Sequence, residues 1–322
     1  MKLLLEEKIE KHSEAKRPEH VPVMTEEIRS LLPLSPGGVY IDGTLGLGGH
    51  ASHFVQKLSP GGWIIGMDWD KNMLDIAKER LQKIDRVHTL FYHADFRKLS
   101  DILLQAKLEG CPIDNIQGIL LDLGLNNVQI ISPDRGFSFK YEGPLDMRMD
   151  QDPAKEKASD LLNRLSAKEI ETLLMKYGDE HWARKIAAVI VDQRKIKPLE
   201  TTTDLINCVL KAIPAAKREK RIHPATRTFQ AVRIAVNQEL DDLSQALIDM
   251  AENLAPNGAL AILSYHSGED RIVKHTFKEM ASCGFNILTQ KPLRPTEEEI
   301  KNNPKSRSAK LRVLQKKEEV MV

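Results

Sequence analysis

The sequence predicts an α/β fold in which a parallel sheet is interrupted by an inserted helical domain. Short apolar segments alternate with amphipathic segments between residues 39 and 122, which is the pattern of strands and helices in turn. Residues 154–222 show only helical periodicity, and strand-like apolar segments return at residue 259. Because such strands are joined by right-handed crossovers, we expect a parallel sheet with helices on both faces.

The first part of the chain predicts four strands that alternate with helices. A short helix over residues 26–32 comes first, with Thr25 as its expected N-cap. The predicted strands then cover residues 39–43, 63–68, 87–93 and 116–122, and the predicted helices cover residues 49–58, 71–84 and 96–108. Residues 1–19 are charged and lack aromatic side chains, so we expect an N-terminal tail there.

The second part of the chain begins with helices alone. These are predicted over residues 158–165, 167–177, 180–194 and 202–212. A single long amphipathic helix is expected over 224–254, followed by a strand over 259–264, a helix over 269–280, and strands over 285–289 and 310–314. The chain therefore divides into the tail 1–19, a discontinuous sheet domain over 20–129 and 224–322, and an inserted helical domain over 130–223.

Composition favours a soluble cytoplasmic protein that is not bound to a membrane. No apolar segment approaches the roughly 20 residues that a membrane helix needs. Cys111, Cys208 and Cys283 lie far apart, so neither a disulfide framework nor a metal site is expected. The net charge is only +1, but basic residues cluster over 217–227 and 291–317, which allows a local face for nucleic acid.

The candidate site begins at the end of the first predicted strand. The apolar segment there stops at Asp42 and runs into a turn with glycines at positions 43, 46, 48 and 49. Such a turn between a strand and a helix presents backbone N–H groups to a ligand, although a plain strand-to-helix corner has the same composition. The glycine spacing is not that of the dinucleotide-binding fingerprint.

Acidic residues stand at or just after the ends of the first four predicted strands: Asp42, Asp68, Asp95 and Asp122. The carboxyl ends of parallel strands meet at one edge of a sheet, and ligands bind there. Asp68 follows the glycine turn by about 20 residues, where a carboxylate can accept both hydroxyls of a ribose. That spacing fits NAD and S-adenosylmethionine equally, so both cofactors stay open on this ground.

Seven ordered motifs make the sequence resemble the bacterial 16S ribosomal RNA cytosine-N4 methyltransferases from His20 to about Val313. They are DGTLGLGGH at 42–50, DLG at 122–124, RGFSF at 135–139, GPLDMRMD at 143–150, HPATRTFQAVRIAVN at 223–237, YHS with EDRIVK at 265–274, and NP with RSAKLR at 303–312. The resemblance implies a class I, Rossmann-like methyltransferase that uses S-adenosylmethionine and carries an inserted all-α domain.

The resemblance also implies which residues contact the cofactor. Gly48, Gly49 and His50 are expected at its methionine part, Asp68 at the ribose, Asp95 and Phe96 at the adenine, and Asp122 and Gln129 at the remaining edge, with Asp42 in the same site. Glycines admit a close backbone approach, a carboxylate satisfies two hydroxyls, and an aromatic ring offers a stacking surface, so the residue types agree with these roles.

The implied reaction transfers a methyl group to the N4 amine of a cytidine in the decoding centre of 16S ribosomal RNA, on the small ribosomal subunit. Asp122 and the backbone of Gly124 are the best candidates to hold the amine hydrogens. His266 is a second catalytic candidate, with a structural histidine at a strand end as the alternative. The sequence leaves open whether the protein is a homodimer.

Two departures from the family pattern lie near the expected substrate mouth. The usual Val-Ser-Ser-Pro-Gln is replaced over residues 125–129, which places Asn126 and Asn127 among the catalytic candidates, and Gly268 replaces a leucine. A second hypothesis is therefore a cofactor-binding ribosome-assembly factor with weak or lost catalysis. A third is a methyltransferase that acts on DNA or on a small molecule, which the motifs in the insertion disfavour.

The expected contacts with substrate RNA are basic and aromatic residues that flank this mouth. They are Arg135, Phe137, Arg148, His223, Arg227 and Arg233. Phe137 or Phe139 could stack on an extruded cytosine, although burial in a core is the competing interpretation. The segment 305–312 is also basic, which fits either RNA contact or a charged edge strand.

Overall fold

The structure, a computed structural model, describes residues 22–219 and 222–318. The predicted tail over residues 1–19 lies outside this part of the chain. The strands are β1 Val39–Asp42, β2 Gly62–Asp68, β3 Val87–His93, β4 Ile116–Asp122, β5 Ala259–Ser264, β6 Phe285–Ile287 and β7 Lys310–Lys316. Every predicted strand is present, and the differences in length are confined to strand ends.

Some helices alternate with the strands, and others form a continuous block between β4 and β5. They are α1 Thr25–Leu31, α2 Gly49–Leu58, α3 Lys71–Leu81, α4 Leu99–Leu108, α5 Asn127–Ile131, α6 Ala158–Arg164, α7 Ala167–Gly178, α8 Ala183–Ile196, α9 Thr202–Ala212, α10 Thr226–Asn237, α11 Leu243–Glu252, α12 Ser267–Met280 and α13 Glu297–Asn302. Short 3₁₀ turns occur at Phe96–Lys98, Ile113–Asn115, Pro133–Arg135, Ala215–Lys217 and Pro304–Ser308. Helices α6 to α9 form the block that interrupts the sheet.

The seven strands form one sheet in the order β3-β2-β1-β4-β5-β7-β6. Strands β1 to β5 run parallel, and β7 lies antiparallel between β5 and β6. The chain moves outward in one direction from β1 to β3 and in the other from β4, so the switch point lies between β1 and β4. Asp42 pairs with Leu120, and β4 continues to Asp122 past the end of β1. Because β7 lies between β5 and β6, it is an internal strand. This position rules out the edge-strand interpretation of the basic segment 305–312.

Apolar side chains cover both faces of the sheet. One face packs against α4, α11 and α12 through residues such as Ile102, Leu247 and Phe277. The other packs against α1, α2 and α3 through Ile28, Phe54 and Ala77. This double cover explains why the central strands are almost wholly apolar in sequence.

The helical block has its own core, which extends into α10. Leu174 and Ile190 of the block pack in one cluster with Phe229 and Val232 of α10. A Cβ at Gly178 would lie 2.7 Å from the Arg227 carbonyl oxygen, so α7 and α10 approach as closely as their backbones allow. This core therefore reaches past residue 223, and the division of the chain into domains stays a prediction.

Two predicted features of the helices are wrong. The expected long helix over 224–254 is two helices, because Gln238 and Asp242 adopt φ of 50° and 55° between α10 and α11. Polar residues in this turn do not disturb the amphipathic pattern, so periodicity alone could not reveal the break. Thr25 is not an N-cap: Met24 takes that position with φ 53°, and the Thr25 hydroxyl donates to the Pro22 carbonyl oxygen instead.

Across the described ranges, the structure contains no helix that is long and apolar enough to cross a membrane.

Candidate cofactor and substrate cleft

A cavity of about 750 Å³ opens at the carboxyl ends of β1, β2 and β4. Many of the predicted site residues line it: Gly49, His50, Asp68, Asp95, Phe96, Asp122, Gly124, Asn126, Gln129 and Arg233. Other candidates lie outside this lining: Asp42, Gly48, Arg135, Phe137, Arg148, His223, Arg227 and His266. The cavity therefore lies at the switch point of the sheet, where the topology predicts a ligand.

The glycine turn forms one wall of the cavity. Gly48 has a φ of 73°, a left-handed conformation that glycine adopts at little cost, and a Cβ there would lie 3.2 Å from Leu81 Cδ1. A Cβ at Gly43 would lie 2.5 Å from Leu121 Cδ2, so this glycine lets the turn pack onto β4. Gly49 faces the cavity. Gly48 lies outside the cavity lining and shapes the turn, so its expected contact with the cofactor stays a prediction.

Asp68 holds the turn in place from the end of β2. Its Oδ2 accepts a hydrogen bond of 2.6 Å from the Gly46 amide, and its Oδ1 accepts one of 2.8 Å from the Asp70 amide. Burial raises the pKa of Asp68 to about 6, although these two hydrogen bonds act in the opposite direction. Each oxygen keeps a lone pair, so the fixed carboxylate can still accept two neighbouring hydroxyls.

The far end of the cavity is aromatic. Phe96 lines it together with Trp69, which is not among the residues predicted from the sequence. The Arg97 guanidinium lies 4.9 Å from the Trp69 ring centroid, and the Lys155 ammonium lies 4.6 Å from it. Asp95 accepts from the Arg97 amide and side chain, so it anchors this end. The position of Trp69 directly after Asp68, at the end of β2, is the signal that could have identified it.

Helix α5 closes the cavity with a reciprocal cap. Asn126 Oδ1 accepts from the Gln129 amide at 2.9 Å, and Gln129 Oε1 accepts from the Asn126 amide at 3.2 Å. The Gln129 side chain also donates to Asp70, the N-cap of α3, which pairs with Arg135. Asparagine thus performs the capping role of a serine at this position. Asn127 begins α5, and its side chain lies outside the structural description.

Asp122 and His50 face each other in the wall of the cavity. His50 Nε2 lies 3.8 Å from Asp122 Oδ2, and both side chains are largely buried. Both ring nitrogens of His50 and Oδ1 of Asp122 lack a hydrogen-bond partner among the described residues. Leaving a buried polar atom unpaired costs about 1–3 kcal/mol, so these atoms indicate a polar ligand in the cavity.

Asp42 lies behind this pair rather than in the cavity. Its Oδ2 accepts from the Tyr40 hydroxyl at 3.0 Å, and its Oδ1 accepts from the Thr44 amide at 3.3 Å. Burial raises the pKa of Asp42 to about 6, and the nearby His50 acts in the opposite direction. Asp42 therefore supports the wall of the site, in contrast to its expected contact with the cofactor.

Tyr265 also lines the cavity, a position that the sequence patterns did not indicate. A Cβ at Gly124 would lie 2.7 Å from Tyr265 Cε2, so the absence of a side chain at 124 lets the ring pack flat against the backbone. Burial and the neighbouring Asp122 carboxylate raise the pKa of Tyr265 well above its usual range. Its place next to the His266 motif, after an apolar strand, is the sequence signal that was missed.

His266 serves as the N-cap of α12. Its Nδ1 accepts from the amides of Gly268 at 3.2 Å and Glu269 at 3.4 Å. Its Nε2 lies 3.1 Å from Glu269 Oε1. Because both nitrogens face the helix terminus and the side chain lies outside the cavity lining, the structural alternative replaces the catalytic expectation.

Arg233 reaches the cavity as half of an ion pair. Its guanidinium donates two hydrogen bonds to Glu239, at 2.8 and 2.7 Å. Glu239 also belongs to the one group in the described part of the chain with metal-binding geometry, together with His266 and Glu269. The Arg233 charge already balances Glu239, and His266 caps a helix, so this group is explained without a metal.

Several of the expected RNA contacts are interior residues. Arg135, 6% exposed, pairs with Asp70 at 2.7 Å, and Arg148 pairs with Asp146 at 2.7 Å. Phe137 is buried in the core of the helical block. The RNA contacts expected of Arg135, Arg148 and Phe137 are therefore wrong. Each side chain is enclosed by its partners and cannot reach a nucleic acid, so it stabilises the fold instead.

The remaining basic candidates lie nearer the surface. Arg227 pairs with Glu219 at 2.9 Å and stays partly exposed. His223 stacks on Phe139 with ring centroids 4.6 Å apart. In the basic segment, Lys305 and Arg307 line the cavity mouth, whereas Lys310 and Arg312 pair with Asp270. The two ends of that segment therefore have different roles.

The sheet order and the cleft at its switch point define a class I methyltransferase, and the cleft fits S-adenosylmethionine. The glycine turn, the fixed carboxylate, the aromatic end and the unpaired atoms of His50 and Asp122 accommodate its parts. The chain belongs to the MraW methylase family, whose model matches residues 17–317. The predicted fold class, enzyme class and cofactor are thus confirmed.

Relatives match nearly their whole length. Ribosomal RNA small subunit methyltransferase H of Pelobacter propionicus is 45% identical, over 92% of this chain and 98% of the relative. The proteins of the same name from Heliobacterium mobile and Brevibacillus brevis are 44% and 41% identical, with the same coverage. Among solved structures, Aeropyrum pernix fibrillarin with natively bound S-adenosyl-L-methionine aligns loosely, with 9% identity, a TM-score of 0.37, and coverage of 88% and 68%.

Proposed function

We propose that this protein methylates ribosomal RNA of the small subunit, in the cytoplasm and on the small ribosomal subunit. The observation that carries the proposal is the likeness to relatives named Ribosomal RNA small subunit methyltransferase H, matched over 98% of their own length. We further propose that the acceptor is the N4 amine of a cytidine in the decoding centre of 16S ribosomal RNA. The motif resemblance and the chemistry of the cleft support this finer assignment.

The roles of the cleft residues follow from the needs of an exocyclic amine. S-adenosylmethionine supplies a methyl group on a positively charged sulfur, and the carbon–sulfur electron pair stays on sulfur as the N4 lone pair forms the new bond. The lone pair of N4 is delocalised into the ring, so orientation is the main task of the protein. Asp122 Oδ1, buried and unpaired, is placed to accept an amine hydrogen, and the Tyr265 ring offers a flat surface to the base.

The recognition of RNA is assigned to the helical block and the cavity mouth. We propose that residues 130–223 form the domain that positions the substrate. Lys140 of this segment lies close enough to Lys305 that its charge, together with burial, lowers the pKa of Lys305. Two lysines from distant parts of the chain on one side of the mouth favour a phosphate group there.

The test uses labelled S-adenosylmethionine and small subunits that lack the modification. We expect label in 16S ribosomal RNA and N4-methylcytidine after digestion to nucleosides and mass spectrometry. Free RNA and cytosine-containing DNA, tested in parallel, should accept far less label. The absence of label in RNA, while a homologous enzyme labels the same subunits, would contradict the proposal. Label in a different nucleoside would contradict only the finer assignment.

The alternative of an assembly factor without catalysis rested on Asn126 and Asn127. Asn126 makes both hydrogen bonds of a helix cap, so the loop keeps a defined conformation despite the substitution. This favours the enzyme. The alternative predicts cofactor binding and subunit binding with no turnover, and the labelling experiment distinguishes the two.

A further inference from the structure

The most unusual polar environment in the described part of the chain surrounds His50. The side chain is 6% exposed, and neither ring nitrogen has a hydrogen-bond partner there. Its ring stacks on Phe54 with centroids 6.4 Å apart. A histidine that serves only in packing is expected to pair at least one nitrogen, since an unpaired buried donor or acceptor is costly.

The charged groups that face His50 are acidic, and each comes from a different element. Asp122 ends β4, with its Oδ2 3.8 Å from Nε2. Asp42 ends β1 and is hydrogen-bonded to Tyr40. Glu299 of α13 accepts from the Met24 amide, and His50 acts to lower its pKa. Asp42 and Glu299 thus have other partners, whereas Asp122 Oδ1 has none among the described residues.

Methylation of an amine leaves a proton to be removed. The amine nitrogen gains a bond to carbon and must lose one of its two hydrogens as a proton, so a nearby group must accept it. Asp122 Oδ1 is placed to take that hydrogen first, and a second acceptor must then remove it so that the carboxylate is free for the next turnover. The Asp122 Oδ2 to His50 Nε2 distance needs a shift of under about 1 Å to become a hydrogen bond, and such contacts often tighten when substrate binds.

We propose that His50 is the final proton acceptor of the reaction: Asp122 Oδ1 takes the proton that N4 loses, and rotation of the carboxyl group about its Cβ–Cγ bond then presents that O–H to His50 Nε2. This rests on the proposed function of an amine methyltransferase. It replaces the expectation that His266 has this role, because the Nδ1 of His266 accepts from helix amides and the side chain lies outside the cavity lining. His50 then returns the proton to solvent after product leaves, so the enzyme is regenerated without another reactant.

The first experiment compares His50→Gln with His53→Gln, a matched control on the exposed side of the same helix. At saturating cofactor and substrate, His50→Gln should lower the single-turnover rate by about 100-fold or more, as expected for loss of a general base. The wild-type rate should fall toward acidic pH, and this dependence should be lost in His50→Gln. His53→Gln should match wild type in both respects.

Cofactor affinity, measured by calorimetry with S-adenosylhomocysteine, separates proton transfer from binding. Because His50 also lines the cofactor cavity, affinity can fall as well, and we expect the loss of saturated rate in His50→Gln to exceed any loss of affinity by at least about tenfold; measurable binding also shows that the variant is folded. If affinity falls in proportion to activity while the saturated rate is unchanged, His50 is a binding residue and the proposal is wrong. An unchanged acidic dependence in His50→Gln, arising from Asp42 or Asp68, would overturn it as well.

A second measurement does not depend on activity. In the protein with ¹⁵N-labelled histidines, the ring nitrogen signals of His50 should change when Asp122 is replaced by Asn, and those of His53 should not. No response of the His50 signals would show that the two side chains are not coupled, which overturns the proposal even if methylation is observed. If wild-type protein labels no RNA, the proposed function fails, and this coupling is still tested.

Discussion

The two ends of the cleft are built differently. At the cofactor end, side chains are fixed by backbone amides close in sequence: Gly46 and Asp68, only 22 residues apart, hold the glycine turn. At the substrate end, a polar side chain joins segments that are distant in sequence: Asn237 donates to the Met147 carbonyl oxygen 90 residues away and accepts from the Met149 amide. The glycine turn is thus held by a local motif, whereas the wall beside the proposed substrate mouth depends on tertiary contacts.

Arg135→Met should produce the largest effect, and it tests whether this arginine belongs to the interior or to the RNA surface. Breaking its buried pair with Asp70 leaves a carboxylate uncompensated, so we expect about 3–5 kcal/mol lower stability in urea unfolding. Arg164→Met, which breaks an exposed pair with Glu156, should leave the urea midpoint close to that of wild type, because exposed ion pairs contribute little. Normal stability with weakened RNA binding would restore the original expectation for Arg135.

Asp68→Asn tests the cofactor end directly. An amide offers one acceptor oxygen where the carboxylate offers two, so one of the two backbone hydrogen bonds is lost and the ribose contact is weakened. We expect cofactor affinity to fall by about 2–4 kcal/mol, or roughly 30- to 1000-fold, in calorimetry. Asp85→Asn, at an exposed position, is the control. Equal affinity in both variants would remove Asp68 from the site.

The pH dependence of stability should reveal the buried Asp42. Its pKa is raised to about 6 in the folded protein, above the ordinary value of 3.8, so the folded state binds more protons between these values. Its contribution to stability is therefore fully present below pH 3.8 and is lost as pH rises through about 6. In Asp42→Asn this loss, on the order of 2 kcal/mol, should disappear from the free energy of unfolding measured from pH 4 to 8. Parallel curves for the two proteins would contradict the raised pKa.

The same contrast explains what the sequence could predict. The strands and the glycine turn follow from local apolar runs and spacing, and they were predicted correctly. Asp68 lines the cavity as expected, and its contact with a ribose stays a prediction. The RNA contact expected of Arg135 was wrong because its partner, Asp70, lies 65 residues away and no local pattern identifies it. Arg148 and His266 have partners close in sequence, Asp146 and Glu269, but residue type pointed to RNA or catalysis, and only the folded geometry shows that these side chains are held by those partners.

The smallest effect is expected at Asn126, where the two ends of the cleft meet. Its side chain accepts from the Gln129 amide, and serine can accept the same hydrogen bond. Asn126→Ser should therefore change stability and activity by no more than a few tenths of a kcal/mol, whereas Asn126→Ala should cost about 1 kcal/mol in urea unfolding. A large gain of methylation in Asn126→Ser would mean that asparagine impairs catalysis, and it would revive the assembly-factor alternative. Equal losses in both variants would mean that the Asn126 amide contacts substrate. Asn126 would then be a binding residue and not only the cap of α5.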